Sequence, residues 1–348
     1  MINRQNWLDV RAYLHHGQYI RQNDPETVSR LRSHLRHLLE WADETALPAA
    51  RSVDPTYPTY LMTARSDGRD KPLAPVSIVK GLAAARQFFA FARAEWSMRY
   101  KPITESWIDM LQPPRHIRSD SRLPLHQFYD LDAVLKIAAV STETLREERG
   151  KVAACMLFLS GMRADALASL PVSCVDIGTR QVMQLPEVGV RTKNRKAAIT
   201  YLLEIPELLV VVEAWDHRVR ALPLSALWYA TLTNDGMHLT STQVAFNGRD
   251  NVVQRDLRII CDLAGVTYLS PHKLRHGHVV HALKKARNMT DLKAISQNVM
   301  HSSVTITDGI YGNLVTNDVR DTIAHLGQER SDELQVRINE LLELLKRN

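Results

Sequence analysis

Apolar residues recur at helical spacing in the first third of the chain, which predicts a small helical bundle there. Asp24 and Pro25 suit the N-cap and first turn of a helix, so we expect one to begin at this point. Its predicted inward residues are Val28, Leu31, Leu35, Leu38 and Leu39, and its predicted outward residues are Arg30, Arg32 and Arg36. A second helix is predicted to begin near Pro75, with Val76, Val79, Ala83, Phe89 and Ala90 inward and Lys80, Arg86 and Arg93 partly outward.

Further along, the spacing changes from helical to alternating. Residues 128–139 are predicted to be helical, and the apolar run 152–159 leads directly into Gly161-Met162-Arg163, so burial of that run would fix Arg163 at the edge of a core. Between Gln181 and Leu203, apolar and polar residues alternate as they do in paired strands. The basic segment 191–196 would then be the exposed end of a hairpin. These patterns predict a mainly α protein with a small antiparallel β-sheet.

The chain divides most naturally at a proline-containing segment that has no periodic apolar face. We expect a helical domain over residues 1–111, a linker over 112–124 and a second domain over 125–330. Residues 331–348 form a predicted C-terminal helix, in which Leu334, Ile338, Leu341 and Leu345 make one apolar stripe. This stripe must be buried against its own domain or against a neighbouring protomer, and the sequence leaves both options open.

Composition narrows the class of partner without identifying it. The 348 residues include 44 Lys and Arg against 38 Asp and Glu, and the resulting net charge of +6 moderately favours a polyanionic partner. No segment has the apolar length of a signal peptide or a membrane span, so we expect a cytoplasmic protein with no membrane partner. Cys155, Cys174 and Cys261 are widely spaced and odd in number, which indicates reduced core thiols and neither a disulfide framework nor a zinc site.

Six widely separated residues have the chemistry needed to handle a phosphodiester. Two arginines can clamp the non-bridging oxygens, two histidines can donate or move a proton, and a lysine can protonate a leaving oxygen. A single tyrosine is the candidate nucleophile. The candidates, in chain order, are Arg163, a lysine of the basic segment 191–196 (Lys193 or Lys196), His272, Arg275, His301 and Tyr311.

The residues around these candidates resemble the tyrosine recombinases, also called phage integrases, over roughly residues 125–316. Gly161-Met162-Arg163 is similar to the first-arginine box of that family, and the run 270–276, which contains His272-Lys273-Leu274-Arg275, is similar to its His-x-x-Arg box. The stretch from Val299 through Leu314 resembles the end of the family's catalytic domain, where a histidine precedes the nucleophilic tyrosine. Two departures stand out. Ala166 occupies a position where the family commonly has an acidic residue, with Asp165 one place earlier, and Met300 replaces a frequent glycine.

The resemblance implies a fold, an activity and a role for each candidate. The two domains would form a clamp around double-stranded DNA, as a core-binding domain and a catalytic domain, and four protomers would act on two sites. Tyr311 would attack phosphorus and form a 3′-phosphotyrosyl bond, Arg163 and Arg275 would stabilise the phosphoryl charge, and Lys193 would protonate the 5′-oxygen. His272 would accept or shuttle a proton, and His301 would donate to a phosphoryl oxygen. No cofactor is required, because the covalent bond retains the energy of the phosphodiester.

Several alternatives remain open at this stage. Lys196 competes with Lys193 as the general acid, and Arg163 could simply pair with Asp165. His272 and His276 have the spacing of a zinc-binding pair, but Lys273 between them disfavours a metal. A non-catalytic DNA-binding regulator and a type IB topoisomerase are the alternative functions. The predicted DNA contacts are Arg30, Arg36, Lys80, Arg86, Arg191, Arg195 and Lys196.

Overall fold

A computed structural model describes residues 2–63, 72–113 and 127–300. The chain divides into two compact units, Met1–Leu123 and Pro124–Asn348. Each unit has its own hydrophobic core. None of the helices in the described ranges is long and apolar enough to span a membrane.

The first unit is helical throughout its described residues. Its helices are α1 (Arg4–Tyr19), α2 (Pro25–Ala42), α3 (Tyr57–Thr63), α4 (Pro75–Glu95) and α5 (Glu105–Met110). The predicted start of α2 is confirmed, because the Asp24 carboxylate accepts a hydrogen bond from the Thr27 backbone N–H at 2.8 Å and Pro25 occupies the first turn. Helix α1 was not predicted, since its few apolar residues are interrupted by charged and polar ones.

The predicted inward face of α4 is wrong at four of its five positions. Phe89 is buried, but Val76, Val79, Ala83 and Ala90 are exposed. The face that α4 buries is instead formed by Ile78, Leu82, Ala85, Phe88, Phe89 and Ala92. Small and apolar residues occupy most sides of this helix, so the spacing of its apolar residues does not determine which side is buried. Aromatic packing determines it, because the Phe88 ring meets the rings of Tyr13 at 5.8 Å and Tyr100 at 6.3 Å, both edge-on.

The second unit is built around one central helix, α7, whose residues from Val152 to Ser160 are all buried. The helices of this unit are α6 (Leu131–Ala138), α7 (Leu145–Ser160), α8 (Ala164–Ala168), α9 (Pro206–Val219), α10 (Asp250–Leu263), α11 (His272–Lys285) and α12 (Met289–Asn298). Helices α6, α9, α10 and α11 all pack on α7. A capping box formed by Thr144 and Glu147 sets where α7 begins.

The predicted antiparallel hairpin is confirmed and belongs to a three-stranded sheet. The strands β1 (Val175–Asp176), β2 (Gln181–Gln184) and β3 (Ala198–Tyr201) are hydrogen-bonded in that order, with Val182 opposite Thr200. Two further strands, β4 (Thr231–Leu232) and β5 (Leu239–Thr240), form a separate antiparallel pair. The segment between β2 and β3 contains the predicted basic residues, in a short 3-10 turn at Lys193–Arg195.

The helix predicted to begin at Phe128 begins three residues later, after Asp130 as its N-cap. Tyr129, which was expected in this helix, lies before it and is buried. Its hydroxyl accepts a hydrogen bond from the Leu269 N–H at 2.6 Å and donates one to the Leu269 carbonyl oxygen at 2.8 Å. These contacts hold the chain extended before α6 and tie it to the segment that leads into α11.

The three cysteines are buried free thiols. Burial raises the pKa of the Cys155 thiol to about 12. A thiol with that pKa is almost entirely protonated at neutral pH, so Cys155 has little nucleophilic character.

Gly277 lies where α11 crosses the backbone of Tyr129, and we predict that Gly277→Ala destabilises the protein. A Cβ atom added there would lie 1.9 Å from the Tyr129 carbonyl oxygen, so the backbone must move. We expect a loss of about 2 kcal/mol or more in the free energy of unfolding, measured by urea titration with circular dichroism.

Gly81→Ala is the matched control in a helix. Its Cβ would meet the Leu61 side chain at 3.4 Å and the Tyr57 hydroxyl at 3.8 Å, both ordinary van der Waals contacts, so the higher helix propensity of alanine should leave stability unchanged or raised by up to about 1 kcal/mol. Equal effects of the two substitutions would contradict the close approach at Gly277.

Candidate active site

Arg163 follows a sharp turn at the end of the buried helix α7. Gly161 ends α7 with a left-handed φ of 64°, and its N–H donates to the Leu157 carbonyl oxygen. A Cβ atom at position 161 would lie 2.7 Å from the His278 ring and 2.8 Å from the Val299 side chain, so both conformation and space require glycine. The turn brings Arg163 to the surface as the N-cap residue of α8, with its side chain only partly buried.

Arg275 is buried and holds separate segments of the chain together. Its Nη1 donates to the Gly161 carbonyl oxygen at 2.7 Å, and its Nη2 donates to the Val299 carbonyl oxygen. Only 2% of the residue is exposed. Since a buried guanidinium is costly without hydrogen-bond partners, these two carbonyl groups stabilise the charge where α7, α11 and the end of α12 meet.

His272 lies within the electrostatic influence of both arginines. The residue is exposed by surface area, yet partial burial of its imidazole, followed by the charges of Arg275, Arg163 and Lys273, lowers its pKa to about 4. A neutral imidazole at physiological pH can accept a proton. The described residues therefore bring three of the six predicted candidates together in one positively charged site.

The imidazoles of α11 also contact one another and the core. The His272 and His276 rings meet edge-on with their centroids 4.7 Å apart. His278 is buried, and its Nδ1 lies 2.7 Å from the Phe158 carbonyl oxygen. Among the described residues, no group of three His, Cys, Asp or Glu side chains is arranged to hold a metal ion.

Lys193 lies on an exposed turn together with Arg195 and Lys196. Asn194 and Arg195 have positive φ values of 59° and 51°, which makes the turn tight. No described contact joins Lys193 to Arg163, His272 or Arg275. The choice between Lys193 and Lys196 as general acid therefore stays a prediction.

Arg191 differs from the other basic residues of this turn, because its guanidinium contacts protein groups. Nη1 donates to the Phe246 carbonyl oxygen at 3.1 Å, and Nη2 donates to the Ala245 carbonyl oxygen. Nη1 also lies 3.6 Å from a carboxylate oxygen of Asp165. Asp165 therefore forms an ion pair with Arg191, and its pairing with Arg163 stays a prediction.

His301 and Tyr311, together with the C-terminal segment 331–348, lie outside the described residues. The roles predicted for these two side chains therefore stay predictions. The described chain ends at Met300, immediately after Val299, whose carbonyl oxygen accepts a hydrogen bond from Arg275.

Asn298 connects this region to the sheet and was not singled out from the sequence. Its side-chain oxygen accepts from the Tyr201 N–H at 2.7 Å, and its side-chain nitrogen donates to the Tyr201 carbonyl oxygen at 3.1 Å. The same nitrogen lies 3.4 Å from the Ser160 carbonyl oxygen. An asparagine near a helix end has no local signature that would predict these contacts.

A buried polar network lies behind the site and was also missed. Arg149 donates through Nε to the Asp256 carboxylate at 2.8 Å, and the Tyr229 hydroxyl donates to the same carboxylate at 2.6 Å. Arg249, which is 1% exposed, donates through Nε to the Ala168 carbonyl oxygen at 2.9 Å. This network fixes α7, α8 and α10 relative to one another, and α8 directly follows Arg163.

Arg30 of α2 and Lys80 of α4 form a basic face around His34. Burial, followed by the charges of Lys80, His37 and Arg30, lowers the pKa of His34. Arg30 and Lys80 are exposed. The three arginines predicted to contact DNA from this unit each form an ion pair: Arg30 with Glu26 at 3.9 Å, Arg36 with Glu40 at 2.8 Å and Arg86 with Asp109 at 3.4 Å.

Comparisons with known proteins agree with this geometry. A family model described as the phage integrase family matches residues 127–318. The chain is 22% identical over 307 residues to the tyrosine recombinase XerC of Salmonella typhi, covering 88% of this chain and 91% of that protein. It is 23% identical over 310 residues to XerC of Yersinia pestis, covering 88% and 89%.

Solved structures with a similar fold are recombinases in complex with DNA. XerH bound to a palindromic difH substrate has a TM-score of 0.61 at 13% identity, covering 88% of this chain and 82% of that one. A lambda integrase dimer bound to a COC′ core site has a TM-score of 0.59 at 15% identity, covering 89% and 95%. The Tn1549 transposon integrase in complex with transposon right end DNA has a TM-score of 0.58 at 13% identity, covering 94% and 100%.

Because His278 is buried, we predict that the free energy of unfolding of the protein decreases in acid. Burial of the imidazole lowers its folded-state pKa from 6.5 to about 4. Between these values the unfolded chain binds more protons than the native state does, so the free energy of unfolding should fall as pH is lowered. Over the whole window the loss is on the order of 3 kcal/mol.

Urea titrations at pH 7 and pH 5 measure this loss. In His278→Asn, a neutral amide replaces the imidazole, so the decrease between the two pH values should be smaller than in the unsubstituted protein. An unchanged decrease would contradict the assignment to His278.

Proposed function

The chain belongs to the phage integrase family, and we propose that it cuts and rejoins DNA at specific sites through a covalent bond between Tyr311 and a 3′-phosphate. The activity is that of a tyrosine-type site-specific recombinase. We further propose that its biological substrate is a mobile element, which it integrates or otherwise recombines.

The observation that carries this proposal is the convergence of Arg163, His272 and Arg275. Arg275 donates to the carbonyl oxygen of Gly161, two residues before Arg163, and His272 lies one turn before Arg275 on α11. These residues come from two different helix starts and are separated by more than a hundred positions in the sequence. A phosphodiester is an anion that gains charge as it is attacked, and fixed cationic donors stabilise that charge by several kcal/mol, about 3 or more for one donor. The imidazole of His272 beside them is neutral, so a ring nitrogen is free to accept a proton, and the negative charge of a bound phosphodiester would raise its pKa towards the range that suits a general base.

In the proposed reaction, the Tyr311 phenolic oxygen attacks phosphorus and forms a new P–O bond. The bond from phosphorus to the 5′-oxygen breaks, and its electron pair remains on that oxygen. Lys193 supplies the proton that the 5′-oxygen takes up, and His272 accepts the phenolic proton of Tyr311. Attack by a different 5′-hydroxyl reverses these steps and completes strand exchange, with no cofactor consumed.

Arg163 and Arg275 have different parts in this proposal. Arg163 is partly exposed and is the better placed of the two to contact the phosphoryl group directly. Arg275 uses Nη1 and Nη2 to hold Gly161 and Val299, and its charge acts in addition on the site. His301 follows Val299 by two positions in the sequence, which supports its proposed part as a donor to the same phosphoryl group.

We propose that residues 1–111 form the core-binding domain, that 112–124 form the linker and that 125–330 form the catalytic domain. Arg30, Lys80, Arg36 and Arg86 would contact the DNA backbone from the first domain, and Arg195 and Lys196 from the second. Phosphate contacts of this kind supply affinity without sequence information. A tetramer on two DNA sites, with the segment 331–348 docking on a neighbouring protomer, completes the proposal.

The covalent intermediate is the most direct prediction. Duplexes enriched by the protein from a randomised pool are nicked a few nucleotides downstream of each candidate scissile phosphate. After cleavage, the short 5′-hydroxyl fragment diffuses away. The reverse reaction is then blocked, so the covalent adduct accumulates. We expect a protein–DNA species that survives denaturing electrophoresis and is absent with Tyr311→Phe.

The outcomes of this assay separate the alternative functions. Tight DNA binding with no adduct at any nick position would indicate a DNA-binding regulator. An adduct from a protein that relaxes supercoiled plasmids but never joins strands from two sites would indicate a topoisomerase.

The basic face of α2 and α4 generates a second prediction. Arg30→Ala and Lys80→Ala should each reduce the slope of log binding constant against log salt concentration by about one, because each removes one phosphate contact. The measurement is fluorescence anisotropy with an enriched duplex over a range of salt concentrations.

Lys101→Ala is the matched control, since Lys101 is an exposed lysine of the same unit that follows the far end of α4. From Lys80 to the end of α4 the helix rises about 22 Å. Equal slopes for all three variants would exclude this face as the DNA-contacting surface.

A further inference from the structure

We propose that Arg191 is a positioning residue, which fastens the turn that carries Lys193 to the helix that follows Arg163, and that its guanidinium does not contact DNA. This inference rests on the proposed function, since it assigns a purpose to Arg191 in delivering the proton of Lys193.

The contacts of Arg191 join the Lys193 turn to both ends of α8. Its backbone N–H donates to the Ser169 hydroxyl oxygen at 2.8 Å. Its Nη1 lies 3.6 Å from the Asp165 carboxylate. Asp165 lies in the first turn of α8 (Ala164–Ala168) and Ser169 directly follows its last residue, so the two partners lie at opposite ends of the short helix that follows Arg163.

The other partners of the guanidinium belong to a turn that is itself fixed in place. Arg191 donates to the carbonyl oxygens of Ala245 and Phe246. Three residues after Phe246, the buried Arg249 donates to the carbonyl oxygens of Ala168 and Tyr229. The contacts of Arg191, here called the Arg191 clamp, therefore join two segments that are each anchored to α8. The clamp cannot move without disturbing the buried network.

Lys193 needs such support because of its own position. It is exposed and begins a turn with two positive φ values. A lysine side chain has four flexible carbons, and a proton is transferred efficiently only when donor and acceptor lie within hydrogen-bond distance. Fixing the backbone two residues before Lys193 reduces the volume that its ammonium group can explore.

The positioning role explains why residue 191 is an arginine and predicts the effect of replacing it. Arg191 directs donors to two carbonyl oxygens and a carboxylate at once, a geometry that the planar guanidinium provides and a lysine does not. Without these contacts, Lys193 would still be present and charged but poorly placed. Cleavage would then be slowed at the step in which the 5′-oxygen leaves.

Sulfur substitution in the substrate isolates that step. When the bridging 5′-oxygen is replaced by sulfur, Tyr311 still forms the P–O bond, and the electron pair of the broken P–S bond remains on sulfur. A thiolate is a far more stable leaving group than an alkoxide, because thiols have pKa values near ~8.5 and alcohols are much weaker acids. Protonation by Lys193 is therefore no longer needed.

The experiment compares adduct formation on oxygen and sulfur versions of one nicked duplex. We expect Arg191→Ala to slow cleavage of the oxygen substrate by about 10- to 100-fold, which is less than the roughly 100- to 10,000-fold that a general acid contributes because Lys193 is still present. The same variant should cleave the sulfur substrate at nearly the unsubstituted rate. Lys193→Ala should show the same pattern with a larger oxygen defect. Arg191→Lys should fall between Arg191→Ala and the unsubstituted protein.

Two matched variants distinguish this pattern from other causes. Arg195→Ala removes a neighbouring basic side chain proposed to contact DNA, so it should weaken binding and slow both substrates alike at low protein concentration. Asp165→Asn and Ser169→Ala remove single partners of Arg191, and each should give a smaller defect that sulfur relieves. These two variants test the clamp even if Arg191→Ala does not fold.

The inference is overturned if Arg191→Ala cleaves the oxygen substrate normally, or if the Arg191, Asp165 and Ser169 variants have defects that sulfur does not relieve. Failure of the proposed function looks different. In that case the unsubstituted protein forms no adduct on either substrate, or Tyr311→Phe still forms one.

Discussion

The buried guanidinium of Arg275 is the interaction on which the rest of the site depends. It holds the carbonyl oxygens of Gly161 and Val299, which lie 114 and 24 residues away in the sequence. Each contact fixes the chain next to a different proposed site residue, because Gly161 precedes Arg163 and Val299 precedes His301. This buried cation thus determines where its neighbours lie, and loss of its side chain would leave two buried carbonyl groups without their Arg275 donor.

Positive charges that lie close together and are buried lower the pKa values of basic groups in the second unit. The imidazole of His272 is driven towards its neutral form, and the guanidinium of Arg249, in the network behind the site, has its pKa lowered to about 10 by burial and by Arg149. Arg149 and Arg249 both lie over the Tyr229 ring, at 4.9 Å and 5.6 Å, and the Asp256 carboxylate offsets their charge. The second unit therefore stabilises several cations close together by combining one buried carboxylate, one aromatic ring and several carbonyl groups.

Local signals in the sequence predicted the elements that local chemistry controls. The Asp24 cap, the alternating strands β2 and β3 and the buried run before Gly161 each depend on residues close together in the chain, and all three are present. The face of α4 was predicted wrongly because that helix is apolar on most sides, and only its partners Tyr13 and Tyr100 select the side that is buried. The sequence does not distinguish Arg191 from its basic neighbours Arg195 and Lys196. Arg191 has a structural role only because the turn containing Ala245 and Phe246 lies against its guanidinium. The same holds for Arg149 and Asp256, which are 107 positions apart and whose pairing has no sequence signature.

The contact between Asn298 and β3 has a consequence beyond catalysis. In the sheet, β3 is an outer strand, so its backbone could template the addition of a strand from another molecule. The side-chain amide of Asn298 occupies both the N–H and the carbonyl group of Tyr201, as a neighbouring strand would. Proteins guard such edges because open ones invite aggregation. One amide thus occupies the β3 edge of the sheet at Tyr201 and blocks the addition of a strand from another molecule there.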